Sequence, residues 1–502
     1  MMRSAAITDY LRARVPGVKV VALLLAAMPL LVAGCQTAPH APDTNTVAAH
    51  LNRRIGQTSP CQIGSGQIAL PPGASLDDGI TEDEAVAIAL YNNAAFQELL
   101  VDLGIARGDL IQAGLLPNPE FVYFWPMSEK PYKYLFDLPI EAIWLRPIRM
   151  KSAAREADRV AERLTQAGLD LMRDVRQAHA DVVLAHERVR VAREGVSLRG
   201  RIAELAEKRF KAGDTSEQEA ATGRIDSAQA QQDAARIMSD VPVLEERLRN
   251  LMGIGSVRGP LRVDALPPPQ CHVLDADALT NEALASRPDA LAAAEAIAAA
   301  QARVAFAKLG WVRLLGIADA TSGKDSHVLG PAVRVTVPIF NWNQGNIARA
   351  DAELERAIRN QKTVANQIIL DVNRAYYQYR QSCNELEILR TKVRPEVEGV
   401  VKRAQAGYQA GNIAIFIVLE NTRQRLDADL REAQLHGDQR RFWAELERSV
   451  GRRLTSGPNG KTSLPDAEST SLPPTEIPAP SLGSPIAAEV QIPVAATERT
   501  PQ

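Results

Sequence analysis

Histidine, aromatic residues and net charge are all in short supply in this chain, and each shortage narrows what it can do. The 7 His are scattered over 502 residues, with no His-Glu-x-x-His pattern and no Cys–His cluster, so no zinc-spaced ligand set is present in the sequence. His179 and His186 share a helix face, but two turns apart is too far for one metal ion without further ligands. No glycine-rich stretch has the spacing that cradles a nucleotide phosphate, so any energy must come from a partner. Aromatics make up 5% of residues against 46% hydrophobic in all, which suits alanine-rich coiled coil better than a compact enzyme core. A net charge of -2 gives no reason to expect nucleic acid.

What the chain does have is a very long amphipathic run. From about Ala153 to Phe210, apolar residues fall at Ala157, Val160, Leu164, Ala167, Leu171, Val175, Ala178, Val182, Ala185, Val189, Ala192 and Val196. The steps alternate between three and four, which puts the stripe on one face of a single helix with a gentle left-handed supercoil. Such a helix needs partners along its whole length, and a return arm runs to Gly253.

The stripe occurs twice. Adding 197 to those positions gives a second set from Leu354 to Val393, broken only by Gln361 and Ser382. Further on the offset is 198: Phe210-Lys211-Ala212-Gly213-Asp214 matches Tyr408-Gln409-Ala410-Gly411-Asn412, and Gly253 matches Gly451. A repeat this long is not a solenoid unit. It reads as two copies of one helical hairpin, each with a Gly-containing turn.

Before the long helices, each repeat carries an earlier helix and strand-like runs. Thr81 and Glu84 form a capping box that opens a helix over 81–116, and Leu279 to Leu309 is alanine-rich helix interrupted at Arg287-Pro288-Asp289. Glu120 to Trp125 and Tyr132 to about Trp144 read as one strand hairpin. In the second, aromatic and aliphatic residues take one face, Lys133 and Asp137 the other. Trp311 to Ala318 and Val333 to Val337 read as its counterpart, with Val333, Val335 and Val337 opposite Arg334 and Thr336. Four strands cannot close a barrel, and a lipid-facing sheet must close because its edge amides have no other partner in hydrocarbon. Several chains would therefore share one barrel.

The first residues read as an export signal. Arg3, Arg12, Arg14 and Lys19 precede an apolar run from Val20 to Val32, too short to span a membrane. The run ends in Leu31-Val32-Ala33-Gly34-Cys35, a lipobox pattern that marks Cys35 for a covalent lipid, and Gln36 in place of Asp favours the outer membrane. The expected organisation is a signal peptide over 1–34, an extended strap over 35–75, a first repeat over 76–258, a linker and second repeat over 259–454, and a disordered Pro/Ser/Thr-rich tail over 455–502. An exported chain meets an oxidising compartment, so Cys61 and Cys271 form a candidate disulfide. Two free thiols are the alternative, since spacing alone does not show proximity. Cys383 lies mid-helix beside the stripe and reads as a small buried residue.

Taken together, the two-fold repeat, the Ala113-Gly114-Leu115-Leu116-Pro117-Asn118-Pro119 run before the first strand, and the paired glycine turns resemble the TolC-type outer-membrane efflux proteins, specifically their lipid-anchored members. The resemblance covers roughly Leu70 to Leu454. It implies a mainly α fold with a membrane β-barrel: long coiled-coil hairpins forming a periplasmic tunnel, and four strands per chain completing a trimeric twelve-stranded barrel. It further implies a homotrimer in outer-membrane lipid, fed by a periplasmic adaptor protein and an inner-membrane efflux pump, with no enzymatic activity and no cofactor beyond the lipid on Cys35. Carried over by position, Gly213, Asp214, Gly411 and Asn412 are the adaptor-docking turns. Ile417 and Glu420 stand where such proteins place an acidic tunnel gate; the apolar Ile417 departs from that pattern and would constrict by dewetting. Two other readings compete: a periplasmic adaptor, which carries one helical hairpin where this chain has two, and a structural coiled-coil envelope lipoprotein, which leaves the matched strand hairpins without a purpose.

Overall fold

The computed structural model describes residues 41–56, 68, 70–71, 76, 79–125, 133–264, 270–322 and 327–454. Two expected features, the Cys35 lipobox with its signal and the tail beyond 454, lie outside the described residues, as does Cys61.

The chain opens with α1 (Thr44–Ile55), a helix inside the stretch expected to be an extended strap. Asp43 and Thr46 cap each other reciprocally, and Val47, Leu51 and Ile55 recur every fourth residue as a buried face. That local pattern outweighs the proline-rich surroundings. α2 (Glu82–Asn92) follows and is capped as the sequence predicts: the Glu84 amide donates to Thr81 Oγ1 and the Thr81 amide to Glu84 Oε2. The helix expected over 81–116 is in fact two. Asn93 adopts an extended conformation and its Oδ1 accepts the Phe96 amide, starting α3 (Ala94–Gly114). The second repeat breaks at the matching place, between α6 (Ala276–Ser286) and α7 (Pro288–Leu309).

The strands are β1 (Glu120–Phe124), β2 (Lys133–Pro139), β3 (Leu314–Ser322) and β4 (His327–Val335). They form one antiparallel sheet in the order β1-β2-β3-β4. The strand expected to run to Trp144 stops at Pro139, which has no amide to continue a ladder. The backbone turns into α4 (Glu141–Lys211) immediately, so this helix begins twelve residues before the expected start at Ala153. With 71 residues it reaches about 107 Å at ~1.5 Å per residue.

α4 pairs with its return arm α5 (Glu217–Met252) and also packs against α1, α2, α3, α7 and α10. It is therefore buried on more than the one expected stripe: Leu169, Met172, Leu184 and Val191 are buried beside Leu164, Val175, Val182 and Val189. The second hairpin is α8 (Gln344–Ile388), a single π turn (Leu389–Val393), α9 (Arg394–Gln409) and α10 (Ile415–Val450).

Ion pairs join the repeats, and a glycine contact holds each repeat together internally. Buried Arg176 of α4 forms an ion pair with buried Glu447 of α10 and also reaches Glu82 at 3.0 Å and Asp83 at 3.2 Å. Gly253 and Gly451, which end α5 and α10, have φ of 71° and 88° and press against the two helix breaks, at Asn92–Asn93 and at Arg287.

The cysteine pairing differs from expectation. Cys271 is bonded to Cys383, with Cα atoms 5.9 Å apart, so it is not the partner of Cys61. The linker before α6 lies along α8, where the Tyr379 hydroxyl accepts the His272 amide at 2.9 Å and donates to the Gln270 carbonyl at 3.1 Å. Those bonds lay Cys271 beside Cys383.

Candidate channel wall and periplasmic tip

Strand register decides which residues share a face of the sheet, because side chains alternate along each strand. Pairing Phe136 with Phe121 and Ala318, and Tyr134 with Tyr123 and Ala320, puts one face together. Across β4 that face continues through Val333, opposite Gly316, and Val335, opposite Leu314. Phe121, Phe136, Leu138, Val333 and Val335 are all exposed in the single chain. The other face collects every charged residue of the strands: Glu120, Lys133, Asp137, Asp319 and Arg334. There Lys133 pairs with Asp319 at 2.8 Å and Arg334 with Asp137 at 3.6 Å. A sheet with one apolar exposed face and one ion-paired face is built to separate hydrocarbon from water. Among the described residues β1 and β4 each have a single strand partner, so both outer edges are bare.

Both glycine turns lie at the far end of the long helices and share one geometry. The Asp214 amide donates to the Arg209 carbonyl and the Gly213 amide to the Phe210 carbonyl; the Asn412 amide donates to Gly407 and the Gly411 amide to Tyr408. These are Schellman closures, and they need a left-handed residue. Gly213 and Gly411 provide it with φ of 81° and 79°. A Cβ at Gly213 would meet nothing within 4 Å, and one at Gly411 only the end of Arg209 at 3.8 Å. Both turns thus present open backbone.

The structure brings the two turns together through residues the sequence analysis missed. Arg209 sits over the Tyr408 ring at 4.7 Å and donates to the Tyr408 carbonyl at 3.2 Å. Glu219 of the first hairpin accepts the Ile415 amide at 3.5 Å, standing in for a side-chain cap at the start of α10. Deeper in, buried Asp226 accepts from Arg423 at 2.6 Å and lies 3.6 Å from Arg199. None of these carries a sequence signal, since a single Arg, Tyr or Asp on a charged helix face looks solvated. Ile417 is 46% exposed beside Phe416 at 67%, whereas Glu420 is half-buried and accepts from Gln424 at 3.4 Å. The two histidines on α4 are not a pair: His179 is fully buried against the Ile80 carbonyl at 2.9 Å, while His186 lies 3.8 Å from Glu245.

A family model described as "Outer membrane efflux protein" matches residues 142–254 and 279–452, more than half of the chain. The chain belongs to the outer membrane efflux protein family. Among similar proteins, the cobalt-zinc-cadmium resistance protein CzcC of Cupriavidus metallidurans is 26% identical over 383 residues, covering 74% of this chain and 90% of that protein. The solved structure of the channel protein CusC superposes with a TM-score of 0.63 at 16% identity, covering 82% of this chain and 99% of the other. The outer membrane protein VceC of Vibrio cholerae gives a TM-score of 0.62 at 15% identity, covering 74% and 96%. As an outer membrane efflux protein, the chain serves as an outer-membrane efflux channel, and its periplasmic part is the helical tunnel formed by α4, α5 and α8 to α10. The sheet takes its place as barrel wall.

Proposed function

We propose that three copies of this efflux protein assemble about one axis, the β4 edge of each pairing with the β1 edge of the next to close a twelve-stranded barrel. The observation that carries this reading is the sheet itself: two bare edges, one apolar face, and every strand charge on the other face. An open edge in hydrocarbon leaves amides unbonded at several kcal/mol each, so neighbouring copies are the natural completion. Arg334, Asp137, Lys133 and Asp319 then line water, and Val333, Val335 and Phe136 face lipid.

At the other end, Gly213, Asp214, Gly411 and Asn412 receive the hairpin of a periplasmic adaptor, whose backbone approaches the open turns closely. An inner-membrane pump supplies substrate through that adaptor. Ile417, exposed beside Phe416, forms the apolar constriction of the tip, and Glu420 adds charge just above it. Cys35 carries the lipid and becomes the mature N-terminus. The protein performs no chemistry on what it passes and holds no cofactor. CzcC is named for cobalt, zinc and cadmium resistance, which makes divalent metal ions the first substrates to test.

The test is aqueous thiol labelling of single-cysteine variants in outer-membrane vesicles, made in a background with Cys61, Cys271 and Cys383 replaced and Cys35 kept. Arg334→Cys should react with a membrane-impermeant maleimide, and Val335→Cys should not. Equal labelling at both positions would refute the assignment of faces. A sedimenting species of monomer mass in mild detergent would refute the shared barrel.

A further inference from the structure

The segments leading into α2 and α6 are fastened alike, and among the described residues only the second carries a disulfide. In the first repeat His179 Nε2 donates to the carbonyl of Ile80, the residue before the N-cap Thr81, at 2.9 Å. In the second the Tyr376 hydroxyl donates to the carbonyl of Leu274, the residue before the N-cap Asp275, at 3.3 Å. His179 and Tyr376 are equivalent at the offset of 197. Tyr379 adds its two bonds, to His272 and Gln270, in the second repeat alone. The first repeat thus reaches the shared arrangement without a covalent bond, and the Cys271–Cys383 link is an addition to it.

That link is open to chemistry from outside. Cys271 is exposed and Cys383 half-buried, and residues 270–275 form neither helix nor strand. Both sulfurs line a groove of about 950 Å³ between this segment and α8. Val273, two residues beyond Cys271, is 91% exposed, an apolar side chain that a partner protein can cover. From the other side comes Gln439 of α10, which is fully buried. Its Nε2 donates to Cys271 Sγ at 2.8 Å and to Cys383 Sγ at 3.1 Å, while its Oε1 has no partner. A buried amide aimed at a disulfide stabilises the negative charge that develops on a departing sulfur.

We propose that Cys271 is a thiol-exchange site, at which a periplasmic dithiol protein breaks and remakes the bond to Cys383. The partner's thiolate bonds to Cys271 Sγ as the Cys271–Cys383 bond breaks. The electron pair leaves on Cys383 Sγ, beside Gln439 Nε2, and that sulfur takes a proton from water. The partner's second thiol gives its proton to water and bonds to the partner sulfur held by Cys271. Cys271 Sγ leaves with its electron pair and is protonated in turn. Two thiols remain on this chain and a disulfide on the partner; the reverse sequence forms the bond. The proposal goes beyond the channel reading and holds whether or not three chains share one barrel.

The test uses the full-length Cys61→Ala protein in lipid nanodiscs, with Cys35 kept. Dithiothreitol is added, and freed thiols are counted by alkylation and mass spectrometry. Reduction of the folded protein should proceed within about tenfold of the rate for the same chain unfolded in urea. Gln439→Leu should slow it about tenfold in the folded protein and not at all in urea; a variant that merely loosened the packing would speed it. If Gln439→Leu does not assemble, Gln439→Met is measured with the same expectation. In Cys61→Ala, Cys383→Ser, the Cys271 thiol should be captured as a mixed disulfide by a thioredoxin lacking its second cysteine and activated at the first. A folded protein that resists dithiothreitol while the unfolded chain is reduced overturns the site. So does an unchanged or faster rate in the Gln439 variant. Reaction with dithiothreitol but no capture by thioredoxin overturns the protein partner.

Discussion

Two alanine substitutions separate the roles of the helix-terminal glycines. Gly213 and Gly253 have nearly the same backbone, with φ of 81° and 71°. Placing a Cβ in that conformation costs about 1–2 kcal/mol at either position. Their surroundings differ. At Gly213 the new carbon meets open space, whereas at Gly253 it overlaps the Asn92 carbonyl and lies 2.8 Å from the Asn93 nitrogen. Those neighbours are backbone at the α2–α3 break, held there by Asn93 Nδ2 donating to the Leu251 carbonyl at 2.8 Å. They cannot rotate away, and relieving such an overlap costs a further ~1–3 kcal/mol. Gly253→Ala should therefore lose about 2–5 kcal/mol and Gly213→Ala about 1–2. The assay is urea unfolding followed by far-UV circular dichroism, with trimer retention on gels after graded heating. Asparagine tolerates the left-handed conformation but still has a Cβ. Gly213→Asn should recover toward the unaltered protein, and Gly253→Asn should stay as damaged as the alanine variant. Equal losses at the two positions would refute the packing argument.

Four further outcomes are expected. The Gly213→Trp, Gly411→Trp double variant should keep its trimers in the outer membrane but lose adaptor crosslinking and resistance, because both turns present open backbone; full crosslinking would place docking elsewhere. Val335→Lys should cost ~2–4 kcal/mol if the residue lies at the bilayer midplane, against little for Arg334→Lys on the other face, read as trimer yield in the outer membrane. Cys35→Ala should leave an unacylated precursor, seen by mass and by failure to incorporate labelled fatty acid. Burial holds His179 neutral, with its pKa below the usual 6.5. The unfolded chain therefore takes up the proton first as pH falls below 6.5, and native stability drops from there down to the lower folded pKa. His179→Gln should flatten that part of a stability-against-pH curve.

The repeat was legible because burial writes the same three-four spacing twice, and capping chemistry is local, so Thr81 and Glu84 read correctly from sequence. The two faces of the sheet were legible for the same reason, since alternation needs no tertiary information. Other features depend on approach in space. Cys271 and Cys383 are 112 residues apart, and nothing in their spacing joins them; the Tyr379 hydroxyl does, by holding the linker against α8. Arg209 over Tyr408 and Glu219 at the start of α10 are single polar residues whose partners lie on the other repeat. The start of α4 was misread because Ile143 and Trp144 look strand-like, and only Pro139 marks the change. The shift of offset from 197 to 198 was visible, but a one-residue slip between repeats does not say whether a loop or a helix absorbs it.

The bare edges of β1 and β4 also bear on inheritance. In the proposed trimer, with 5 and 9 residues in those strands, a lone chain would leave its edge amides unsatisfied in lipid, which ties insertion to assembly. A copy damaged at one edge is then worse than a missing copy, because it takes two sound ones into an unclosed ring. When half of the copies carry such a lesion, random assembly in threes leaves about one barrel in eight intact, where simple loss of half the copies would leave about half the barrels. Lesions at these two edges should behave as dominant, while null alleles should be recessive.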